Sequence, residues 1–308
     1  QTMDGHFRTL PENSNEIRFV VVSDSHRFET ATKVSDVIAQ FDPDFILHTG
    51  DMVEGTGSQK DQFPYWFQNV GSFLHNVPVI YNSGNHDYGV YFDEYVTKVQ
   101  KGQYKSNETG RNVAFDCGPV HFDMLDSNPW SLFELNSTAG GGEADAATKA
   151  VVNESLDWLK ADLATDNAKK ADFRVVTMHH PFEDDLTRKY VPSIVENGNV
   201  NIMFSGHTHL YSRYASADPK RGADTLYVTQ GDARIGGGKI DTGKPDQRLD
   251  DNYPNLLATG KGDMLEVTVK DGLLTYKNLG LSGDGEKVFE TVTLSKDGAK
   301  LAYSDISI

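Results

Sequence analysis

Histidine, aspartate and asparagine residues fall in five short blocks along the first two thirds of the chain. In chain order, the blocks are Asp24-Ser25-His26, Gly50-Asp51, Gly84-Asn85-His86-Asp87, His179-His180-Pro181 and Gly206-His207-Thr208-His209. Carboxylate, amide and imidazole donors in one set suit Mn, Fe, Zn or Co better than Ca or Mg, which prefer oxygen ligands. The seven strongest candidate donors are Asp24, His26, Asp51, Asn85, His179, His207 and His209. One ion would not use so many donors, so two ions that share one carboxylate fit the set better.

The spacing within the blocks has a physical reading. In an extended segment, residues i and i+2 point the same way, so Asp24 could act with His26, and His207 with His209. The glycines that precede three of the blocks allow tight turns and a close approach of the backbone.

Each block follows a short apolar run that is typical of a β-strand. These runs are Ile17–Ser23, Phe45–His48, Val77–Tyr81, Phe173–Met178 and Val200–Phe204. Helical patterns lie at Thr30–Gln40, Tyr65–His75 and Ala150–Leu163. Strands that alternate with helices predict an α/β domain with a largely parallel core sheet. Because ligands bind at the carboxyl edge of such a sheet, the five blocks are expected to converge on one crevice.

The last third of the chain changes character. Strand-like runs occur at Thr225–Thr229, Asp263–Lys270, Leu273–Asn278, Lys287–Leu294 and Leu301–Ser307. Gly-containing turns between several of them predict a second, mostly antiparallel sheet. We therefore expect a polar lead-in at residues 1–15 and a single domain at residues 16–308, with the second-sheet strands mostly from residues 225–308. Two long segments without a clear pattern, 127–148 and 231–255, are expected to be functional loops.

The composition disfavours or excludes several classes of protein. The formal net charge of −16 disfavours a nuclease, because nucleic acid is bound by clustered Lys and Arg. No apolar run approaches the ~20 residues that a membrane-spanning helix needs. Cys117 is the only cysteine, which excludes an internal disulfide and a cysteine-based zinc site.

The chain starts at Gln1, as it would after removal of a signal peptide or after a designed truncation. This start and the acidic composition favour a periplasmic or secreted protein, with a cytoplasmic one as the alternative.

The five blocks, in this order, resemble the motifs of the calcineurin-like metallophosphoesterase superfamily. That superfamily includes purple acid phosphatases and bacterial cyclic-nucleotide and glycerophosphodiester phosphodiesterases. The resemblance spans residues 24 to 209, more than half of the chain. It implies a four-layer α/β/β/α sandwich of two mixed sheets, with a two-metal site at the carboxyl ends of the strands.

The resemblance also implies how the donors are shared. Asp24, His26 and His209 would hold the first metal. Asn85, His179 and His207 would hold the second metal, and Asp51 would bridge the two ions.

Two neighbouring residues are expected to take part in the reaction. By resemblance, His86 contacts the phosphate or protonates the leaving oxygen, and Asp87 orients its ring. In extended backbone, the offset of one residue from Asn85 would turn His86 away from the metals. Purple acid phosphatases carry an iron-binding Tyr three residues after the bridging Asp. Glu54 stands at that position here, so we expect no purple colour.

Two further residues are candidates for the substrate phosphate. Arg27 could bind it through its planar guanidinium or lie in solvent. His180 could line the pocket or pack beside His179.

The sequence thus predicts an enzyme, a metal-dependent phosphoesterase. We expect two divalent or trivalent ions (Mn, Fe or Zn) and a bridging hydroxide that attacks a small phosphomonoester or phosphodiester. Both ester classes fit the sequence. The alternative is a non-catalytic metal-binding or scaffold protein of the same fold, which would contain little metal. A nuclease is disfavoured by the charge.

Overall fold

The computed structural model describes most of the chain. It covers residues 8–11, 14–26, 31–74, 76–96, 105–106, 111–215, 225–233, 255–258, 264–282, 285–296 and 302–303.

The strands and helices of the first half alternate, as the sequence predicts. In chain order they are β1 (Glu16–Val22), α1 (Ala31–Phe41), β2 (Phe45–His48), α2 (Gln62–Leu74), β3 (Val79–Tyr81), α3 (Val90–Tyr95), β4 (Lys105–Ser106), β5 (Val113–Cys117), β6 (Val120–Met124), a π-helical turn (Pro129–Glu134) and α4 (Leu135–Thr138).

The second half continues with helices and then with strands alone. Its elements are α5 (Ala146–Leu163), α6 (Asp166–Lys170), β7 (Phe173–Thr177), α7 (Asp185–Tyr190), α8 (Pro192–Asn197), β8 (Ile202–Ser205), β9 (Ser212–Ala215), β10 (Leu226–Thr229), β11 (Asn255–Ala258), β12 (Met264–Lys270), β13 (Leu273–Ser282), β14 (Gly285–Ser295) and β15 (Ala302–Tyr303). None of the helices in the described ranges combines the length and the apolar content needed to cross a bilayer.

The strands form two mixed sheets. The first sheet has the order β15-β14-β13-β12-β1-β2-β3, and the second has the order β11-β9-β10-β8-β7-β6-β5-β4. In the first sheet β1, β2 and β3 run parallel, and in the second β6, β7, β8 and β10 run parallel. Each sheet therefore has a parallel centre that is extended by antiparallel strands.

Side chains alternate between the two faces of each central strand, and this alternation builds the layers of the sandwich. In β1, Phe19 and Val21 enter the core between the two sheets, whereas Val20 and Val22 pack with residues of α1 and α2. In β8, Phe204 points into the inter-sheet core and Met203 packs with residues of α5 and α8. Because side chains in a strand alternate between faces, each central strand serves two cores. The result is the expected four-layer α/β/β/α sandwich.

The assignment of strands to sheets differs from the expectation. Strands β12 to β15 join the first sheet, and residues after 225 contribute only β10 and β11 to the described part of the second sheet. The link is the antiparallel pairing of β1 with β12, in which Glu16 lies opposite Lys270. A local pattern identifies a strand but not its distant partner.

The segment 127–148 also differs from the expected long loop, because it contains the π-helical turn, α4 and the start of α5.

A buried ion pair joins the two sheets. Arg213 on β9 donates through Nε to both carboxylate oxygens of Glu290 on β14, at 2.8 and 2.9 Å. Tyr211 donates to the same carboxylate at 2.7 Å, and its oxygen lies 2.8 Å from that of Tyr276. Each buried polar atom that must be paired restricts how the sheets can slide, so this network sets their relative position.

His121 is the centre of a second buried network, on the helix side of the second sheet. Its Nδ1 lies 2.7 Å from Asp116 and its Nε2 lies 2.8 Å from Asp162 of α5. Asp123 lies 3.6 Å from the same Nε2. Burial alone would lower the pKa of His121, but the hydrogen bonds with Asp116 and Asp162 raise it to about 9. His121 is therefore a charged group that holds α5 to the sheet.

This network predicts a pH-dependent stability. The folded-state pKa lies above the unfolded value, so the stabilisation is complete below pH ~6.5 and decreases as pH rises through about 9. Chemical denaturation of the wild type and of His121→Gln should therefore give free energies of unfolding that differ most near pH 6 and converge by pH 9.5. Asp157→Asn removes an exposed ion pair with Lys160 on the same helix and should show no such trend. A constant difference for His121→Gln would contradict the assignment.

Candidate metal centre

The five blocks do converge at the carboxyl ends of strands. Asp24 and His26 follow β1, Asp51 follows β2, and Asn85 follows β3. His179 follows β7, and His207 with His209 follows β8. The loops are bonded to one another, since the backbone N–H of Asp24 donates to Gly50 and that of His26 donates to Asp51, both at 3.0 Å.

One group of donors contains Asp24, His26 and His209. Their ligand atoms all lie within 4.8 Å of one another. The Nε2 atoms of His26 and His209 are 3.2 Å apart, and Nε2 of His209 is 3.4 Å from Oδ1 of Asp24. These three are the residues that the resemblance assigns to a first metal.

A second group surrounds His179. Its Nε2 lies 3.2 Å from Oδ2 of Asp51 and 3.1 Å from Oδ1 of Asn85. Asp24, Asp51 and His179 again place ligand atoms within 4.8 Å of one another. The ring of His207 lies 5.1 Å from that of His179. Asp51 thus lies beside both groups, which is the position a bridging carboxylate requires.

The backbone at these residues is not extended. Asp24, His26, Asp51, His207 and His209 all have positive φ, between 45° and 75°. Asp and His adopt this left-handed region more readily than bulky residues do, but it is strained for any residue with a Cβ. Extended backbone is therefore not the reason why these residues pair, contrary to the prediction. The side chains meet because the loops turn sharply at the strand ends.

Three of the candidate donor rings are fixed by a hydrogen bond at Nδ1. The Nδ1–H groups of His26 and His179 donate to the carbonyls of Val53 and Thr49, at 3.1 and 3.0 Å. That of His209 donates to Asp232 at 3.1 Å. A bonded Nδ1 selects the tautomer and directs Nε2 into the centre. Asp232 was missed by the sequence analysis, although it lies at the start of the 231–255 segment that was expected to be functional.

The electrostatics of the centre follow from two buried carboxylates. Burial would raise the pKa of Asp51, but the charge and hydrogen bond of His179 lower it below its usual range. Burial would lower the pKa of His179, but Asp51 raises it to about 9. Burial raises the pKa of Asp24, and the nearby charge of Asp51 adds to this. For His207, burial and then the charge of His179 lower the pKa to about 4.

These observations fit bound metal ions. Oδ1 of Asp24 is buried and accepts no hydrogen bond from the described residues. Because Nδ1 of both His26 and His209 carries the proton, their Nε2 lone pairs face each other across 3.2 Å when the rings are neutral. That arrangement is repulsive unless a cation lies between or beside them. The mixture of nitrogen and oxygen donors suits a transition metal.

The predicted relation between His86 and Asp87 is wrong. Asp87 accepts backbone N–H groups, from Met52 and Val53 on Oδ1 and from Gly84 on Oδ2. It therefore ties the loop after β2 to the loop after β3. The ring of His86 is oriented instead by two carbonyls, with Nδ1 at 2.9 Å from Glu54 and 3.0 Å from Gly55. Asn85 to Asp87 form a turn and not an extended segment.

Of the two candidate phosphate-binding residues, Arg27 and His180, the structure describes only His180. Arg27 lies outside the described residues. His180 is buried, with Nδ1 at 2.8 Å from Ser127 and its ring 4.6 Å from that of His207. Burial and the charge of His179 hold the pKa of His180 well below its usual value. A neutral His180 thus borders the second donor group, where it could also act as a metal ligand.

Comparisons with known proteins agree with this architecture. The family model described as calcineurin-like phosphoesterase matches residues 17–211. Purple acid phosphatase 21 of Arabidopsis thaliana is 25% identical over 252 residues, which is 73% of this chain and 52% of that protein. The chain spans about half the length of the curated purple acid phosphatases that it matches.

Two solved structures share the fold. The purple acid phosphatase PPD1 from yellow lupin (Lupinus luteus) has a TM-score of 0.65 at 15% identity, with 94% of this chain and 56% of that chain covered. The structure of PhoD has a TM-score of 0.66 at 12% identity, with 98% and 74% covered. At such identities the likeness concerns the fold alone.

The buried carboxylate of Asp24 provides a test of the metal centre. Asp24→Asn should raise the Tm of the chelator-treated protein, because it removes a buried charge next to Asp51. The amide oxygen can still accept from Ser23 and from the backbone N–H of His207, and its NH2 can face Nε2 of His209. The variant should lose most of the stabilisation by Mn²⁺, which would be ~2.7 kcal/mol for the wild type at a hundredfold excess over Kd.

Differential scanning fluorimetry with and without Mn²⁺ measures both effects. Asp36→Asn, at an exposed position of α1, should change neither. An Asp24→Asn protein that is less stable without metal and still responds fully to Mn²⁺ would show that Asp24 is not a ligand.

Proposed function

Because the chain belongs to the calcineurin-like phosphoesterase family, we propose that it hydrolyses small phosphate esters with two metal ions bound at the centre described above. The observation that carries this proposal is the pair of donor groups on either side of Asp51. The donors are imidazole, amide and carboxylate groups from five loops that meet at one edge of the fold. A two-metal hydrolase requires such a set.

The donors are divided as follows in this proposal. Asp24, His26 and His209 hold the first ion, and Asn85, His179 and His207 hold the second. Asp51 contacts both. When bound, the ions would lower the pKa of water towards neutrality and polarise the phosphoryl oxygens. Mn, Fe or Zn suit the donor set.

His86 serves the leaving group in this proposal. Its ring lies 5.1 Å from that of His26, so it stands at the border of the first donor group. The carbonyls of Glu54 and Gly55 occupy Nδ1, which leaves Nε2 to contact a substrate oxygen and to donate a proton to it. The backbone N–H of His86 donates to Oδ1 of Asp51 at 2.9 Å, which holds the whole turn against the centre.

The position of Glu54 supports a colourless enzyme. Its carboxylate is 44% exposed and lies 3.6 Å from Nδ1 of His26. A carboxylate at this place provides no phenolate for a charge-transfer band with iron. Phosphomonoesters and small phosphodiesters both remain substrates under this proposal, and residues 16–308 are proposed to act as one domain.

Metal content gives a direct test. Elemental analysis after saturation with Mn²⁺ should find about two ions per chain, and the loaded protein should hydrolyse p-nitrophenyl phosphate or its bis ester. Asp51→Asn should weaken both sites, because Asp51 lies beside both donor groups. His209→Ala should lower the content towards one ion, because His209 belongs to the first group alone.

Other results of the metal analysis and of the activity assay would contradict different parts of the proposal. A content near zero with a folded protein would indicate a scaffold that has kept the fold without the metals. Metal-loaded protein without activity on either ester would overturn the proposed substrate class.

His86 can be separated from the metal ligands by mutation. His86→Asn should leave the metal content unchanged, since the ring is anchored to carbonyls and only its backbone contacts Asp51. It should lower kcat by ~10²- to 10⁴-fold for alkyl phosphates, which need a proton on the leaving oxygen. The loss should be smaller for p-nitrophenyl phosphate, whose leaving group is a weak base.

An equal loss for all leaving groups would instead favour electrostatic stabilisation of the phosphoryl oxygens by His86. Loss of a metal ion in the variant would make His86 a ligand.

A further inference from the structure

Two aromatic residues, one exposed and one half-buried, form a pair beside the turn that carries His86. Tyr88 directly follows the turn that carries Asn85 and His86, and it is 37% exposed. Its ring lies 4.7 Å from that of Phe133, at an angle of 70°. Phe133 belongs to the π-helical turn Pro129–Glu134, a type of irregular helix that is frequent at functional sites.

The segment that carries Phe133 is fixed to the metal centre. Asn128 donates to the carbonyls of Ser83 and Gly84, at 3.2 and 3.4 Å, immediately before Asn85. Ser127 lies 2.8 Å from the ring of His180. The segment 127–133 therefore lies along one side of the turn that contains His86.

The loop after β2 contacts the same turn. The N–H of Gly57 donates to the carbonyl of His86 at 2.7 Å, and the N–H of Tyr91 donates to Gly57 at 3.0 Å. A Cβ at Gly57 would lie 1.8 Å from the carbonyl oxygen of Asp87, so the two loops are in close contact. The backbone around Tyr88 is thus fixed by the loop after β2, and segment 127–133 is bonded to the residues just before the turn and to His180.

Arg111 supports the ring of Tyr88. Its guanidinium carbon lies 4.5 Å from the centre of that ring, in a cation–π contact. The guanidinium is itself bonded to Asp93 at 2.9 Å and lies 3.8 Å from Asp126. Asp126 in turn accepts from Asn128, which completes the connection to the metal centre. One face of the Tyr88 ring is therefore backed by a fixed cation.

Two exposed apolar residues follow the pair closely in the sequence. Val90 begins α3 and Leu135 begins α4, and they are 70% and 53% exposed. Exposed apolar surface, where it is contiguous, often marks a binding site. A phosphoryl group belongs with the polar donors, so this surface suits the other half of the ester.

We propose that Tyr88 and Phe133 form an aromatic wall that binds the planar aromatic part of the substrate's alcohol, as in a nucleoside or aryl phosphate. Arg111 is a positioning residue that keeps the Tyr88 ring in place. This inference rests on the proposed function, because it names the substrate class of the same site.

Adenosine 5′-monophosphate and ribose 5-phosphate form a suitable substrate pair. Both release a primary alcohol, and they differ at C1 of the sugar, which carries the planar base in the nucleotide and a hydroxyl in ribose 5-phosphate. The wild type should prefer the nucleotide in kcat/KM, on the order of tenfold for one stacked base. Tyr88→Leu and Phe133→Leu should reduce this ratio towards one, mainly through KM, and Tyr88→Phe should keep it. Arg111→Met should lower the ratio less than Tyr88→Leu.

Tyr65→Leu is the matched control. Tyr65 is 43% exposed on α2 and does not belong to either segment of the wall. This variant should keep the activity and the ratio of the wild type. Leucine retains apolar volume, and equal Tm values will show that each variant is folded.

Binding without hydrolysis separates this inference from the proposed function. Saturation-transfer NMR on the chelator-treated protein, with adenosine and with phenol as probes, should show contact that is lost in Tyr88→Leu. Contact with adenosine identifies a nucleoside ester, and contact with phenol alone identifies an aryl ester. Such contact without hydrolysis of any ester would overturn the proposed function and leave the wall in place. Hydrolysis with a ratio near one and no contact with either probe would overturn the wall alone.

Discussion

Two carboxylates, Asp24 and Asp51, lie buried at one edge of the fold, and their charge must be balanced within that site. His179 does part of this by holding a proton up to about pH 9 between Asp51 and its other neighbours. One imidazolium does not balance both carboxylates, and Oδ1 of Asp24 accepts no hydrogen bond from the described residues. The folded protein therefore presents a site whose electrostatic balance is incomplete without cations. Unpaired buried charge is costly, so such a site persists only where the surrounding structure holds it rigidly.

The sandwich supplies that rigidity. Central strands such as β1 and β8 are buried on both faces, and the Arg213–Glu290 pair fixes one sheet against the other. Strands held in this way end at defined positions. The last carbonyls of β1 and β2 accept from the backbone N–H groups of Thr49 and Asn82, which begin the loops after the neighbouring strands. The loops can then adopt left-handed backbone at five donor residues, a strain that packing elsewhere offsets. Anchored Nδ1 atoms complete the arrangement, because they leave each ring with one free direction for Nε2.

The meeting of the candidate donors at strand ends could be predicted from short-range patterns in the sequence. The four layers were implied by the resemblance to the family. Apolar runs of four to seven residues followed by Asp, Asn or His identify strand ends, as for Phe45–His48 before Asp51. The pairing of β1 with β12 could not be read in this way, since it joins residues more than two hundred positions apart. Asp232 was missed for a similar reason, because no pattern marks it as a neighbour of His209. Asp87 was misassigned because adjacency in sequence suggested a contact with His86, whereas its carboxylate is occupied by backbone N–H groups of two loops.

An acidic protein that binds a phosphate ester needs a local field opposite to its overall charge. The net charge of −16 is a total for the whole chain, and salt screens exposed charges beyond ~8 Å. Within the centre, two divalent ions would bring four positive charges against Asp24 and Asp51, and the neighbouring imidazoles of His180 and His207 are neutral because of their lowered pKa values. The balance there would be cationic over a few ångströms, which is the range that a phosphoryl group experiences. In the proposed complex the alcohol part of the ester meets Tyr88 and Phe133, so the overall negative charge can still oppose polyanions without opposing a single small ester.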